Sequence, residues 1–125
     1  MRSGPQKLIP GGPFCPGKEA YLDQARQIAE NTLTYYQHDG RWLAQPAAFN
    51  AIFFKNLLKL DAVLPNPRYR AALRTYTDTL WQAVDPSTSL LRQQPSAPAT
   101  LLDQAALIQL LALLDWNREH YSVLA

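Results

Sequence analysis

Carboxylates are the first residues to weigh for chemistry, because paired Asp and Glu side chains move protons and attack electrophilic carbon in many hydrolases. Here they are Glu19, Asp23, Glu30, Asp39, Asp61, Asp78, Asp85, Asp103, Asp115 and Glu119, spread singly with no two adjacent. Most fall on polar helix faces or in first turns, where an acid is ordinary solvated charge. Asp103 in particular complements the dipole at the start of an apolar helix. Only Asp39 and Asp103 lie near loops that could line a cleft. His38 and His120 are separated by most of the chain, and apart from Glu119 beside His120 neither has a ligand-type neighbour at metal spacing. The lone Cys15 excludes an intrachain disulfide and a Cys-rich zinc site. Gly11-Gly12 lacks the following Gly, Lys or strand-to-helix context of a phosphate loop, and no nucleophile elbow is present. No catalytic residue, metal or cofactor is therefore expected.

Aromatic residues are the more informative set. Tyr35, Tyr36, Trp42, Phe49, Phe53, Phe54 and Trp81 gather around predicted helix ends, where a sugar or another flat ligand can stack. Core packing accounts for most of them by periodicity. Trp42 falls outside any helix period, in a connector beside Arg41, and is the residue most readily assigned to a ligand.

Helices must position these side chains. From about Lys18 to Tyr36, the residues Tyr21, Leu22, Ala25, Ile28, Ala29, Leu33 and Tyr36 recur at helical spacing between polar positions. That helix ends before His38-Asp39-Gly40, whose glycine suits a left-handed closing turn. A connector of about ten residues leads to a second helix from Pro46 or Ala47 to Val63, with Phe49, Ile52, Phe53, Leu57, Leu60 and Val63 on one face. Pro65-Asn66-Pro67 ends it, and Asn66 caps a third helix carrying Tyr69, Leu73, Tyr76, Leu80, Trp81 and Val84, stopped by Asp85-Pro86. Thr100 caps a fourth, Leu101 to Trp116, with so little polar face that it calls for burial on several sides. No hairpin of alternating residues is expected beyond a local pairing at Arg41-Trp42-Leu43.

The fold class is thus all-α. Residues 1–17 form an irregular Gly/Pro-rich segment, and residues 18–125 form a helical-hairpin domain of about four helices. Tyr21, Ala25, Ile28 and Leu33 align with Tyr69, Leu73, Tyr76 and Trp81 at an offset of about fifty residues, the mark of stacked two-helix repeats. Two such units alone leave apolar surface uncovered, so self-association through the fourth helix is expected.

Composition narrows the partners. The 125 residues carry 12 Lys and Arg against 10 Asp and Glu, scattered without a basic stripe, so nucleic acid is not expected. Hydrophobic residues make up 47% and charged ones 18%, a globular balance. The stretch Leu101 to Trp116 is interrupted by Asp103, Gln104, Gln109 and Asp115 and is too short to span a bilayer. The glycines and prolines between Ser3 and Phe14 leave no apolar core of a signal peptide.

Five segments in order carry a resemblance. They are Tyr21-Leu22-Asp23-Gln24-Ala25-Arg26-Gln27-Ile28-Ala29, Asp39-Gly40, Phe49 through Leu57, Asn66-Pro67-Arg68-Tyr69 through Leu80-Trp81, and Asp103-Gln104-Ala105-Ala106-Leu107. Together the chain resembles the C-terminal portion of glycoside hydrolase family 76, the endo-acting α-1,6-mannanases. The resemblance implies an (α/α)6 toroid of six helical hairpins, here a partial set, with a substrate groove across one end and α-mannan or mannooligosaccharide as the partner. By analogy, Phe49, Asn50 and Gln104 lie at helix starts near the groove, and together with Trp42 of the connector they are the expected substrate-binding residues. The family's Lys and Gly after the motif phenylalanine are replaced by Asn50 and Ala51, and its Trp-containing stretch by Leu90-Leu91-Arg92-Gln93-Gln94-Pro95. Its adjacent catalytic aspartates belong to the other half of the barrel, and this sequence has no Asp-Asp pair. The resemblance therefore implies a fragment inactive alone, from a family that usually acts outside the cytoplasm. Two further readings fit the same helices: a non-catalytic helical-repeat binding or assembly module, or another six-hairpin toroid such as a sugar 2-epimerase, which relies on histidines at helix ends.

Overall fold

The computed structural model describes residues 17–94 and 96–116. The Gly/Pro-rich segment through residue 16 with Cys15, Pro95, and residues 117–125 with Glu119 and His120 lie outside the described residues. Among those described there are four α-helices, α1 (Lys18–Gln37), α2 (Ala47–Val63), α3 (Pro67–Trp81) and α4 (Leu101–Asp115), with a 3-10 segment at His38–Ala44. A two-residue antiparallel ladder joins β1 (Val84–Asp85) to β2 (Leu90–Leu91). The protein is all-α in class, and no described helix is long and apolar enough to cross a membrane.

Local chemistry sets the helix ends. The Asn66 side chain accepts from the Arg68 N–H at 2.9 Å with Pro67 in the first helical position, and Thr100 Oγ1 accepts from the Asp103 N–H at 3.1 Å. Buried Asp61 closes the turn between α2 and α3 by accepting from the Asn66 N–H at 2.8 Å. After α1 the chain turns through Asp39 (φ 56°) and Gly40 (φ 63°), a left-handed pair that only the second residue adopts without steric cost.

The short α2–α3 turn makes those helices antiparallel, and an Arg70 guanidinium at the start of α3 donating to the Leu114 carbonyl near the end of α4 makes α3 and α4 antiparallel too. It follows that α2 and α4 run parallel, side by side, with Gln109 Nε2 donating to the Ala51 carbonyl between them. Helix α3 lies behind both. Helix α1 crosses α2 and the start of α3, where Arg68 donates to Thr34 Oγ1 and Gln37 Oε1. The core filling this arrangement includes Leu33, Phe54, Leu58, Tyr69, Leu73, Tyr76, Leu91 and Leu110.

Several expectations are corrected. Helix α3 ends at Trp81, so Val84 pairs with Leu91 in the ladder instead of continuing the helix. Its turn is built by Asp85 accepting from both the N–H and hydroxyl of Ser87 and by Ser89 at φ 59°. The Ser87 backbone bond, then its hydroxyl, holds the exposed Asp85 carboxyl below its ordinary pKa. Arg41-Trp42-Leu43 forms no strand and lies in the 3-10 segment. On α2 the buried face is Ala47, Asn50, Ala51, Phe54, Leu57, Leu58 and Asp61, while Phe49, Ile52 and Val63 are exposed. A helix apolar nearly all round gives a periodicity that does not say which side is inside. Tyr21, Ile28 and Trp81 are exposed as well, since among the described residues α1 buries only Ala29 and Leu33 and the buried face of α3 (Tyr69, Ala72, Leu73, Tyr76, Thr77 and Leu80) does not include Trp81. Helix α4 is covered on one side only, leaving Leu101 84% exposed.

Burial pushes the Tyr76 phenol above its ordinary pKa, offset in part by the bond from Asn50, and burial then the Glu30 carboxylate does the same to Tyr69. A raised native pKa means stability is intact below the unfolded value of about 10 and is lost as pH rises through the native one. On alkaline titration, Tyr69 and Tyr76 are expected to ionise together with loss of helical circular dichroism. Phenolate absorbance complete before any helix is lost contradicts this.

Candidate functional site

The 3-10 segment and the start of α2 bring aromatic and amide side chains to one place. A cleft of about 180 Å³ is lined by Thr32 and Tyr36 from α1, Trp42 and Gln45 from the connector, and Phe49, Asn50 and Phe53 from α2. Its floor is rigid. Trp42 is 7% exposed, its ring 5.3 Å from Tyr76 and 5.9 Å from Phe54, with Phe54 stacked on Tyr76 at 5.6 Å. Asn50 Nδ2 donates to the Trp42 carbonyl and to Tyr76 Oη, both at 2.9 Å, tying connector, α2 and α3 together. Phe49, 63% exposed, forms the outer lip.

A second cleft of about 220 Å³ lies where α2 and α4 begin, between Leu43–Pro46, the loop residues Gln93, Gln94, Ala97 and Pro98, and Thr100 and Asp103 of the α4 start. Gln45 lines both clefts, which makes them neighbours on either side of it and gives a two-part groove at the starts of α2 and α4. Each falls short of the roughly 300 Å³ at the small end of ordinary ligand pockets. The Gln93 side chain spans the groove wall, Oε1 accepting from the Ala47 N–H at 2.8 Å and Nε2 donating to the Gln45 carbonyl at 3.3 Å.

Of the four residues expected from the sequence, Trp42, Phe49 and Asn50 come together in the aromatic cleft, and Gln104 does not join them. Gln104 instead clamps the backbone of Leu91. Its Oε1 accepts from the Leu91 N–H at 2.8 Å, and its Nε2 donates to the Leu91 carbonyl at 2.8 Å and the Thr100 carbonyl at 3.0 Å. Trp42 contributes an edge to the cleft from a ring that is mainly core. Sequence reasoning missed Gln45 and Gln93, whose only signal was their place in loops flanking helix starts.

Asp103 is the groove's one carboxylate among the described lining residues. Glycoside hydrolysis uses two carboxyl groups about 5–10 Å apart, and the described lining of this groove supplies one of them. His38 lines neither cleft; its Nε2 lies 3.2 Å from Asp39 Oδ2 in the exposed turn, an ion pair when the imidazole is protonated. No group of metal-ligating residues occurs among the described residues. Comparison of the chain with protein-family models, curated proteins and solved structures gives no match.

Proposed function

We propose that this chain is a non-catalytic carbohydrate-binding segment of a helical-hairpin protein, similar to the C-terminal portion of a family 76 α-1,6-mannanase and inactive alone. The observation that carries this reading is the groove across the starts of α2 and α4, aromatic at one end and lined by amides at the other. A pyranose offers an apolar C–H face and a rim of hydroxyls. Phe49 supplies the flat surface for the face, while Gln45, Asn50 and the Asp103 carboxylate supply acceptors for the rim. The implied architecture is part of an (α/α)6 toroid, with the groove on the substrate-facing end.

The test is titration of the 125-residue chain with α-1,6-linked mannooligosaccharides, followed by NMR. Shifts are expected at Phe49, Gln45 and Gln93, with affinity weakened about three- to tenfold in Phe49→Ala, matching the loss of one stacking contact. No shifts up to millimolar sugar, or shifts confined to other surfaces, overturn the proposal.

A further inference from the structure

Helices α2 and α4 lie side by side with α3 behind them, which leaves one broad face turned away from the core. It carries Ile52 and Val63 of α2 and Leu101 and Ile108 of α4, all exposed. These positions follow helical spacing. Ile52, Asn56 and Val63 share a stripe of α2, while Leu101, Ala105, Ile108 and Ala112 share one of α4. Taking roughly 200 Å² for a fully exposed large side chain, these four apolar residues present about 530 Å². That lies in the upper part of the 300–600 Å² typical of a monomer's largest patch, and the alanines and lysine stems bring it closer to the ~800 Å² per partner of a standard interface.

Charge on this face is sparse and divided. Helix α2 brings Lys55 and Lys59, and α4 brings no cation between Leu101 and Asp115 but ends in the exposed acid Asp115. The parallel register fixes their heights. Lys55 lines a small hollow with Gln109, Ala112, Leu113 and Trp116, which places Lys59, one turn on, at the height of the end of α4, where Asp115 lies. We infer that this face docks a second copy of the chain about a two-fold axis parallel to α2 and α4. Rotation about that axis lays α2 over the other copy's α4, so Ile52 meets Ile108 and Lys59 meets Asp115, each contact made twice. An axis perpendicular to the helices sets α2 over α2 and crowds lysine against lysine. A membrane surface is a poorer match, because an interfacial helix pair is flanked by many Lys and Arg, whereas α4 has none.

Sedimentation of the 125-residue chain across micromolar concentrations tests this, with circular dichroism as the folding control. The expected species has twice the 14.1 kDa chain mass. Ile108→Glu, at a 68% exposed position, is expected to give a folded monomer. Should that variant misfold, the charge pair decides alone: Lys59→Glu or Asp115→Lys weakens association about tenfold, and the two together restore it. A wild-type monomer overturns the proposal, as does a dimer indifferent to these variants. The inference is independent of sugar binding, since none of the substituted residues lines the groove.

Discussion

Trp42→Ala is expected to lose about 3–5 kcal/mol of folding stability, whereas Phe49→Ala, a few residues away on the same cleft, changes it by less than about 1 kcal/mol. The contrast follows from what the two rings touch. The Trp42 indole fills the space between Phe54 and Tyr76, and its carbonyl accepts the Asn50 amide that also reaches the Tyr76 hydroxyl. Removing it leaves a cavity among groups already held by that polar link, so neighbours cannot close in without breaking it. Phe49 projects from α2 into solvent and leaves no cavity behind. Urea unfolding of both variants against the parent chain measures the difference. An unchanged midpoint for Trp42→Ala shows that the indole is not packed as described. For a domain whose total stability is about 5–15 kcal/mol, the expected loss is a large fraction. Sugar binding is therefore probed through Phe49, because a Trp42 truncation reports unfolding and lost contact together.

The same pair of residues shows what was legible in the sequence. Helix limits came from capping chemistry that is local: Asn66-Pro67 and Thr100 act on the next two or three residues, and both caps are formed as the sequence predicts. Which side of a helix is buried is not local. For α2 and α4, nearly every face is apolar, and only the position of α3 selects Phe54 and Leu110 over Phe49 and Ile108. Trp42 looked free for a ligand because the connector has no helical period, yet the 3-10 segment folds its ring onto α2 and α3. The β1–β2 ladder was invisible for a different reason, since two residues per strand are too few to show alternation. Gln104 was marked by its place at a helix start, and the structure gives it partners that are backbone groups 13 residues away in sequence.

Those partners make Gln104 the second large effect. Its carboxamide mimics a neighbouring strand, offering one acceptor and one donor to the two backbone groups of Leu91, whose side chain is fully buried. In Gln104→Leu both backbone groups lose their partner inside a half-buried site, and a cost of about 2–3 kcal/mol is expected, smaller than two fully orphaned groups because water reaches the loop. Gln93, Gln94, Ala97 and Pro98 form one wall of the groove, so Gln104 positions that wall without itself lining the groove. Gln104→Glu separates this from a loss of packing. The carboxylate still accepts from the Leu91 N–H but faces the Leu91 and Thr100 carbonyls with an acceptor, which raises its native pKa above the unfolded value of about 4.3. Its stability is then full below that value and declines as pH rises through the native pKa. Acid rescue of the glutamate variant, absent in the leucine variant, with the Leu91 amide exchanging slowly only when rescued, is the expected outcome. A glutamate variant with the parent's pH dependence shows that the clamp does not hold the loop.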